Sequence, residues 1–233
     1  MQAVILAGGR GKRLRPYTTV LPKPLMPIGD YPILEVVIRQ LKKNGFNRII
    51  LAIGHQHQLF TAFFGNGEKW GIHIDYYVEE KPLGTAGPLR GISSLDDHFL
   101  MMNGDILTDL NFAKFMEFHR SKDSLLTIAT HERTQNIDYG TLEFNSDGFL
   151  ELFSEKPVLC FNVSMGIYAL TKKAVDFIPD KAHFDFPELV CKLRDHAAPV
   201  ACYPYGGYWM DIGRPDDYEI AIDDFDKMKD QLL

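Results

Sequence analysis

The chain has little cysteine, little tryptophan and a shortage of positive charge. Its three cysteines, Cys160, Cys191 and Cys202, are odd in number and share no paired spacing, which argues against a disulfide framework or a cysteine-based zinc site. Lys and Arg total 25 against 31 Asp and Glu, a formal net charge of -6. A binder of nucleic-acid backbone needs a basic surface, so nucleic acid is not an expected partner, whereas one basic pocket for a nucleotide stays compatible. Long apolar runs are also missing. The first, Ala3 to Ala7, stops at glycines and is too short for a signal-peptide core, and no later run reaches membrane-spanning length. A cytoplasmic location without a membrane partner is expected. The chain shows no linker, repeat or low-complexity tract.

What is present suits one large domain: 233 residues with 45% hydrophobic content. Short β-branched runs at Val4–Leu6, Arg48–Ile53, Ile72–Val78, Phe99–Asn103 and Leu125–Thr130 read as strands. Between them, Leu34, Val37, Ile38 and Leu41 recur at helical spacing up to Asn44-Gly45, and Leu59–Phe64 and Phe112–His119 are further helical stretches. This alternation predicts an α/β fold, a Rossmann-like, mostly parallel sheet flanked by helices. After Thr130 the pattern changes. A hairpin is expected from Gly140–Phe144 and Phe149–Phe153 around Asn145-Ser146-Asp147-Gly148, then a strand at Val163–Leu170, helices at Lys172–Ile178 and Pro187–His196, short strands at Val200–Tyr203 and Tyr208–Ile212, and a closing helix from Pro215. Residues 131–207 therefore read as a small β-rich, substrate-facing subregion of the same domain as residues 1–130.

The first strand delivers the chain to Gly8-Gly9-Arg10-Gly11-Lys12-Arg13-Leu14-Arg15-Pro16. In an open α/β sheet ligands sit beyond the carboxyl ends of strands, and glycines let backbone N–H groups approach phosphate oxygens. Two familiar phosphate loops do not fit. A dinucleotide fingerprint needs a third glycine where Leu14 stands and an acid where Ile53-Gly54-His55 stands, and a P-loop needs Ser or Thr where Arg13 follows Lys12. A merely tight turn is the bland alternative, and four basic residues in six positions (Arg10, Lys12, Arg13, Arg15) argue for a counter-charge instead. Further on, Leu21-Pro22-Lys23-Pro24-Leu25 brackets a lysine with prolines, which reduces the entropy lost in aiming its ammonium. Taken alone, that segment serves a solvated lysine equally well.

Together these segments resemble the sugar-1-phosphate nucleotidylyltransferase family. The likeness continues through Pro82-Leu83-Gly84-Thr85-Ala86-Gly87-Pro88, Asn103-Gly104-Asp105, Glu155-Lys156-Pro157, Ser164-Met165-Gly166-Ile167-Tyr168 and Trp209-Met210-Asp211-Ile212-Gly213. It spans nearly the whole chain in the family's order and is nearest to the mannose-1-phosphate guanylyltransferase branch, which shares the segment from Glu79 to Pro88. Lys12 departs from the family's usual threonine, which would cost a hydroxyl contact to phosphate. The family's C-terminal β-helix domain is not expected.

The resemblance implies transfer of a nucleoside monophosphate from an NTP to a sugar 1-phosphate with loss of pyrophosphate. Asp105 and Asp211 would hold Mg²⁺, Arg13 the leaving pyrophosphate, and Lys23 the α-phosphate. Leu6, Ala7, Gly8, Gly9, Gly11, Glu79, Pro82, Gly84 and Thr85 would line the nucleotide site. Asn103, Tyr139, Gly140, Glu155, Lys156 and Asn162 would bind the sugar phosphate. Glu79 accepts hydrogen bonds only, and guanine offers two adjacent donors, so GTP is the expected nucleotide, with Glu80 the reader if the loop shifts by one. Cytidylyl, uridylyl and thymidylyl transfer are the enzymatic alternatives, and a non-catalytic nucleotide sensor is the rival class. Such a sensor would be expected to lack one of Lys23, Asp105, Lys156 or Asp211, and all four are present. A monomer or small homo-oligomer is expected. His55 and His57 read as surface residues, Phe112, Phe115 and Phe118 as core or interface rather than base stacking, and Asp109 and Asp216 as turn and helix-start residues.

Overall fold

The computed structural model describes residues 1–9 and 11–233, and Lys12 by its backbone alone. Arg10 of the glycine–arginine loop lies outside the described residues. The strands are β1 (Gln2–Leu6), β2 (Pro27–Ile28), β3 (Tyr31–Pro32), β4 (Arg48–Ile53), β5 (His73–Val78), β6 (His98–Asn103), β7 (Ile106–Thr108), β8 (Leu126–Asn136), β9 (Thr141–Phe144), β10 (Leu150–Ser154), β11 (Val158–Thr171), β12 (Val200–Tyr205) and β13 (Trp209–Asp211). The helices are α1 (Ile33–Lys43), α2 (His57–Phe64), α3 (Gly87–Gly91), α4 (Phe112–Ser121), α5 (Phe186–Asp195) and α6 (Pro215–Leu232).

Seven strands form one sheet in the order β12-β8-β11-β6-β1-β4-β5. All neighbours run parallel except β11, which is antiparallel to both β6 and β8. The fold is therefore α/β with a mostly parallel sheet flanked by helices. The two-residue alternation of strands sorts side chains onto two faces. Ala3 and Ile5 of β1, Leu51 and Ile53 of β4 and Met102 of β6 join α1, α2 and α4 in one core. Val4, Ile50, Ala52 and Met101 face the other way, against Leu89 of α3 and Leu189 and Leu193 of α5. Helix α6 closes a third cluster over Leu14, Met26 and Ile28. There Phe225 occupies the space a side chain at Gly29 would need, since a Cβ would lie 2.8 Å from its ring.

Several boundaries differ from the sequence reading. The strand expected at Leu125–Thr130 continues to Asn136, and that expected at Val163–Leu170 runs from Val158 to Thr171, because the two pair with each other far beyond the main sheet. Polar outer residues such as Glu132, Arg133 and Gln135 hide that extension from a hydrophobic pattern. Lys172–Phe177 is 3-10 rather than α-helix. Helix α3 and strand β7, five and three residues long, are too short to show a period. The long loop after Gly8 carries 3-10 turns and the small β2–β3 pair. Residue 131, where the substrate-facing subregion was drawn to begin, falls inside β8.

Candidate active site

The carboxyl ends of β1, β4 and β6 open onto a cavity of about 780 Å³. Its floor is the turn out of β1: Leu6, Ala7, Gly8, Gly9 and Gly11 line it, together with Arg13, Leu14, Lys23 and Pro24. Gly11 has a left-handed φ of 56°, and the Thr18 hydroxyl donates to its carbonyl at 2.7 Å. Thr18 also fills the space over it, with Cγ2 2.9 Å from where a Cβ would sit. A side chain at that position would therefore distort the loop by conformation and by contact.

Glu79 and the loop that follows make the opposite wall, with Glu80, Pro82, Gly84 and Thr85. Glu79 is pinned at two levels. Its amide donates to the Ile53 carbonyl at 2.8 Å, and its Oε2 accepts the Leu83 amide at 2.9 Å. A Cβ on Gly8 would lie 3.0 Å from Glu79 Oε1, so glycine at that position lets the acid reach the loop. Burial raises the Glu79 carboxyl above its ordinary range, and the Leu83 amide opposes that shift.

The far end of this loop is fastened to the start of α5. Asp185 Oδ1 accepts both the Thr85 amide (2.9 Å) and the Thr85 hydroxyl (3.2 Å), and the same hydroxyl accepts the Phe186 amide (2.8 Å). Gly84, at φ 81°, allows this approach, because a Cβ would lie 2.7 Å from Asp185 Oδ1. The Thr85 side chain is thus committed to holding the loop.

Charge converges where β6 ends. Gly104 turns the chain so tightly against β1 that its amide donates to the Leu6 carbonyl at 2.9 Å. Asp105 follows, on the cavity wall beside Asn103. Strand β13 pairs antiparallel with β7, Asp211 lying opposite Ile106, and so brings the second carboxylate alongside. Lys23 Nζ is 2.5 Å from Asp105 Oδ2 and 3.9 Å from Asp211 Oδ1, with only 11% of its side chain exposed. Burial, then the Asp105 charge, raises the Asp211 carboxyl above its usual value, while Lys23 and Arg13 pull it down. Asp105 Oδ1 is buried and has no hydrogen-bond partner among the described residues. A buried anionic oxygen left unpaired next to a second carboxylate calls for a cation, and an all-oxygen donor set suits a hard divalent ion such as Mg²⁺.

Thirteen of the residues named from the sequence thus line one cavity, and Asp211 joins them through Lys23. Tyr139, Gly140, Glu155, Lys156 and Asn162 do not. All five are exposed and belong to the region of β9, β10 and outer β11. Gly140 and Glu155 meet there, since a Cβ on Gly140 would lie 3.1 Å from Glu155 Oε2. The sequence reading left Gly54, His55, His183 and Gly213 out of the site, taking His55 for a surface residue, and all four also line the cavity. Gly54-His55 was findable, because it follows β4 at the end of the sheet where ligands bind. His183 had no such signal, since only the docking of 183–186 on the Leu83–Gly87 loop brings it there. Among the described residues, the cluster of metal-ligand type is His183, Asp185 and Glu188, and its two acids already form the capping box of α5.

Residues 2–227 match the nucleotidyl transferase family. The chain belongs to that family. This nucleotidyl transferase chain is 33% identical, over 95% of its length, to UTP–glucose-1-phosphate uridylyltransferase of Synechocystis sp.. It is 34% identical, over 94% of its length, to mannose-1-phosphate guanyltransferase of Yarrowia lipolytica. It spans 62% of the length of each of these relatives. The crystal structure of HddC from Yersinia pseudotuberculosis superposes with a TM-score of 0.74 at 29% identity, covering 96% of this chain and 99% of that one. A further HddC structure is complexed with GMP-PN. No helix among the described residues is long and apolar enough to cross a membrane.

Proposed function

We propose that this nucleotidyl transferase joins a nucleoside triphosphate, GTP by preference, to mannose 1-phosphate or a related hexose or heptose 1-phosphate, releasing pyrophosphate and an NDP-sugar. The observation that carries the reading is the cluster of Lys23, Asp105 and Asp211 at the rim of a cavity floored by a glycine–arginine loop. A sugar 1-phosphate is already an anionic nucleophile, so the chemistry needs positioning and charge neutralisation rather than a strong base. Asp105 and Asp211 would hold Mg²⁺, which would supply Lewis-acid neutralisation of phosphate charge. Lys23 would stabilise charge gathering at the α-phosphate, and Arg13 would hold the departing pyrophosphate. The glycine-loop amides would bind the remaining phosphate oxygens. Asn103, Tyr139, Gly140, Glu155, Lys156 and Asn162 would receive the sugar phosphate.

Guanine specificity is supported by Glu79, an acceptor-only side chain on the cavity wall, and by the names of the guanylyl-transferring relatives. The Synechocystis relative favours a second reading, uridylyl transfer to glucose 1-phosphate. The deciding experiment is pyrophosphate release across a matrix of five nucleoside triphosphates and several sugar 1-phosphates. Turnover with GTP and mannose or heptose 1-phosphate above every other pair is expected. The highest turnover with UTP and glucose 1-phosphate would replace the first reading by the second, and no release with any pair would exclude both.

A further inference from the structure

Strand β5 is an edge of the main sheet, so the loop that leaves it after Glu79 has no strand on one side to lean on. Its support comes from a segment 100 residues further along the chain. Three hydrogen bonds between the two are made by backbone alone. The Phe184 amide donates to the Leu83 carbonyl at 2.9 Å, and the Phe184 carbonyl accepts the amides of Ala86 (3.0 Å) and Gly87 (2.9 Å). Three more run through Asp185 Oδ1 and the Thr85 hydroxyl. A carboxylate that accepts two donors makes stronger bonds than a neutral carbonyl does.

The supporting segment is itself fixed to the sheet. Phe186 is 3% exposed, and its ring lies on that of Tyr168, with centroids 3.6 Å apart and planes 26° from parallel. Tyr168 sits on β11, paired with Met101 of β6 on one side and Ile128 of β8 on the other. Asp185 therefore ties a loop at the sheet's edge to one of its inner strands. Leu83 carries the tie to the site: its carbonyl is bound by Phe184, and its amide donates to Glu79 Oε2 at 2.9 Å. The aim of the Glu79 carboxylate into the cavity thus depends on where 184–186 holds the loop. Asp185 is not among the residues that line the cavity.

We infer that Asp185 is a positioning residue for nucleotide selection: it meets no substrate and fixes, through Thr85, the loop that aims Glu79 at the base. The inference rests on the nucleotidyl transfer proposed above. A group that reads a base discriminates only when its supports hold it to within about half an ångström. Asp185 has a second, ordinary task at the start of α5, where the Glu188 carboxylate accepts its amide at 2.6 Å. The two tasks use different atoms and can be separated by mutation. Asp185→Ala removes the acceptor for Thr85. Asp185→Asn keeps an acceptor oxygen and a good helix-start residue. Glu188→Ala weakens the start of α5 and leaves the Asp185 carboxylate in place.

The test compares these variants of the whole chain by steady-state kinetics with five nucleoside triphosphates and by amide hydrogen exchange over residues 83–87 without ligands. Asp185→Ala should raise KM for the preferred nucleotide about tenfold or more, compress the nucleotide ranking and leave KM for the sugar phosphate nearly unchanged. Exchange of the loop amides should quicken with it. Asp185→Asn should restore most of both. Glu188→Ala should lower the melting temperature and keep the ranking and the loop exchange of wild type. A ranking untouched by Asp185→Ala, an equal loss for both substrates, or a Glu188→Ala effect on the ranking as large as that of Asp185→Ala would each overturn the inference. Calorimetric titration with the same nucleotides makes the comparison without turnover. A nucleotide affinity that falls in Asp185→Ala alone, in a chain that releases no pyrophosphate with any substrate pair, would fell the transferase reading and leave the role of Asp185 standing.

Discussion

Asp211 stands beside Asp105 because β13 lies against β7, and the Ile212 amide donates to the Asp105 carbonyl at 3.2 Å. The pairing clamps two carboxylates together at the price of their repulsion, which Lys23 only partly relieves, lying 2.5 Å from one and 3.9 Å from the other. Such a pair is stable when a cation joins it.

Asp105→Asn and Asp211→Asn should each lower kcat/KM for pyrophosphate release about a hundredfold or more, comparable to about 3 kcal/mol of transition-state electrostatics. Asp211→Asn should at the same time raise the melting temperature of the metal-free protein at neutral pH. The folded-state carboxyl is shifted upward, so the unfolded chain ionises first and its charge favours unfolding above the ordinary carboxylate range. The gap between variant and wild type should close as pH falls below that range, where both states are protonated. Near-wild-type turnover by either variant in Mg²⁺ would remove that residue from the metal site.

The two phosphates should separate by mutation. Arg13 lines the cavity with the glycine loop, whereas Lys156 stands outside it beyond β10. Arg13→Ala should raise KM for the nucleotide more than that for the sugar phosphate, and Lys156→Ala should do the reverse. Steady-state kinetics with each substrate varied in turn checks this. Equal effects on both substrates from both variants would mean that the pockets are misassigned.

Glu79→Gln replaces an acceptor-only group by one with both a donor and an acceptor. If Glu79 reads guanine, kcat/KM for GTP should fall roughly a hundredfold relative to the other nucleotides. The side chain also holds the Leu83 amide, and a glutamine oxygen can keep that bond, so the loop should survive. The five-nucleotide ranking in wild type and variant is the measurement. An unchanged ranking with an unchanged GTP value would reject Glu79 as the reader.

A buried histidine should make the fold acid-sensitive. His119 on α4 is fully buried, its Nδ1 2.8 Å from the Thr127 hydroxyl and its ring 5.4 Å from that of His98. Burial first, then the nearby His98 and Arg120, lowers its pKa from 6.5 to about 4. The unfolded chain takes up the proton first as pH falls, so stability is complete above the ordinary histidine value. It drains away down to about 4, a total loss of about 3 kcal/mol. Urea unfolding at a series of pH values should show this slope in wild type and a shallower one in His119→Gln. Equal slopes would assign the acid sensitivity to other groups.

Much of this protein could be read from its sequence because local patterns carried it. Val4–Leu6 and Arg48–Ile53 announce buried strands by composition alone, and α1 by the spacing of Leu34, Val37, Ile38 and Leu41. The glycines at 8, 9 and 11 mark a backbone that must come close to something, whatever that ligand is. Other features were beyond any local pattern. Asp211 meets Asp105 only through the pairing of β13 with β7. Thr85, which the motif offers to a nucleotide, spends its hydroxyl on Asp185 and Phe186, far along the chain. The outer halves of β8 and β11 are strands because they pair with each other, although their outer residues carry no core-facing alternation. Propensity and periodicity act between near neighbours and can be read along the chain. Strand pairing and the docking of a loop on a distant helix depend on which surfaces the closed fold brings together.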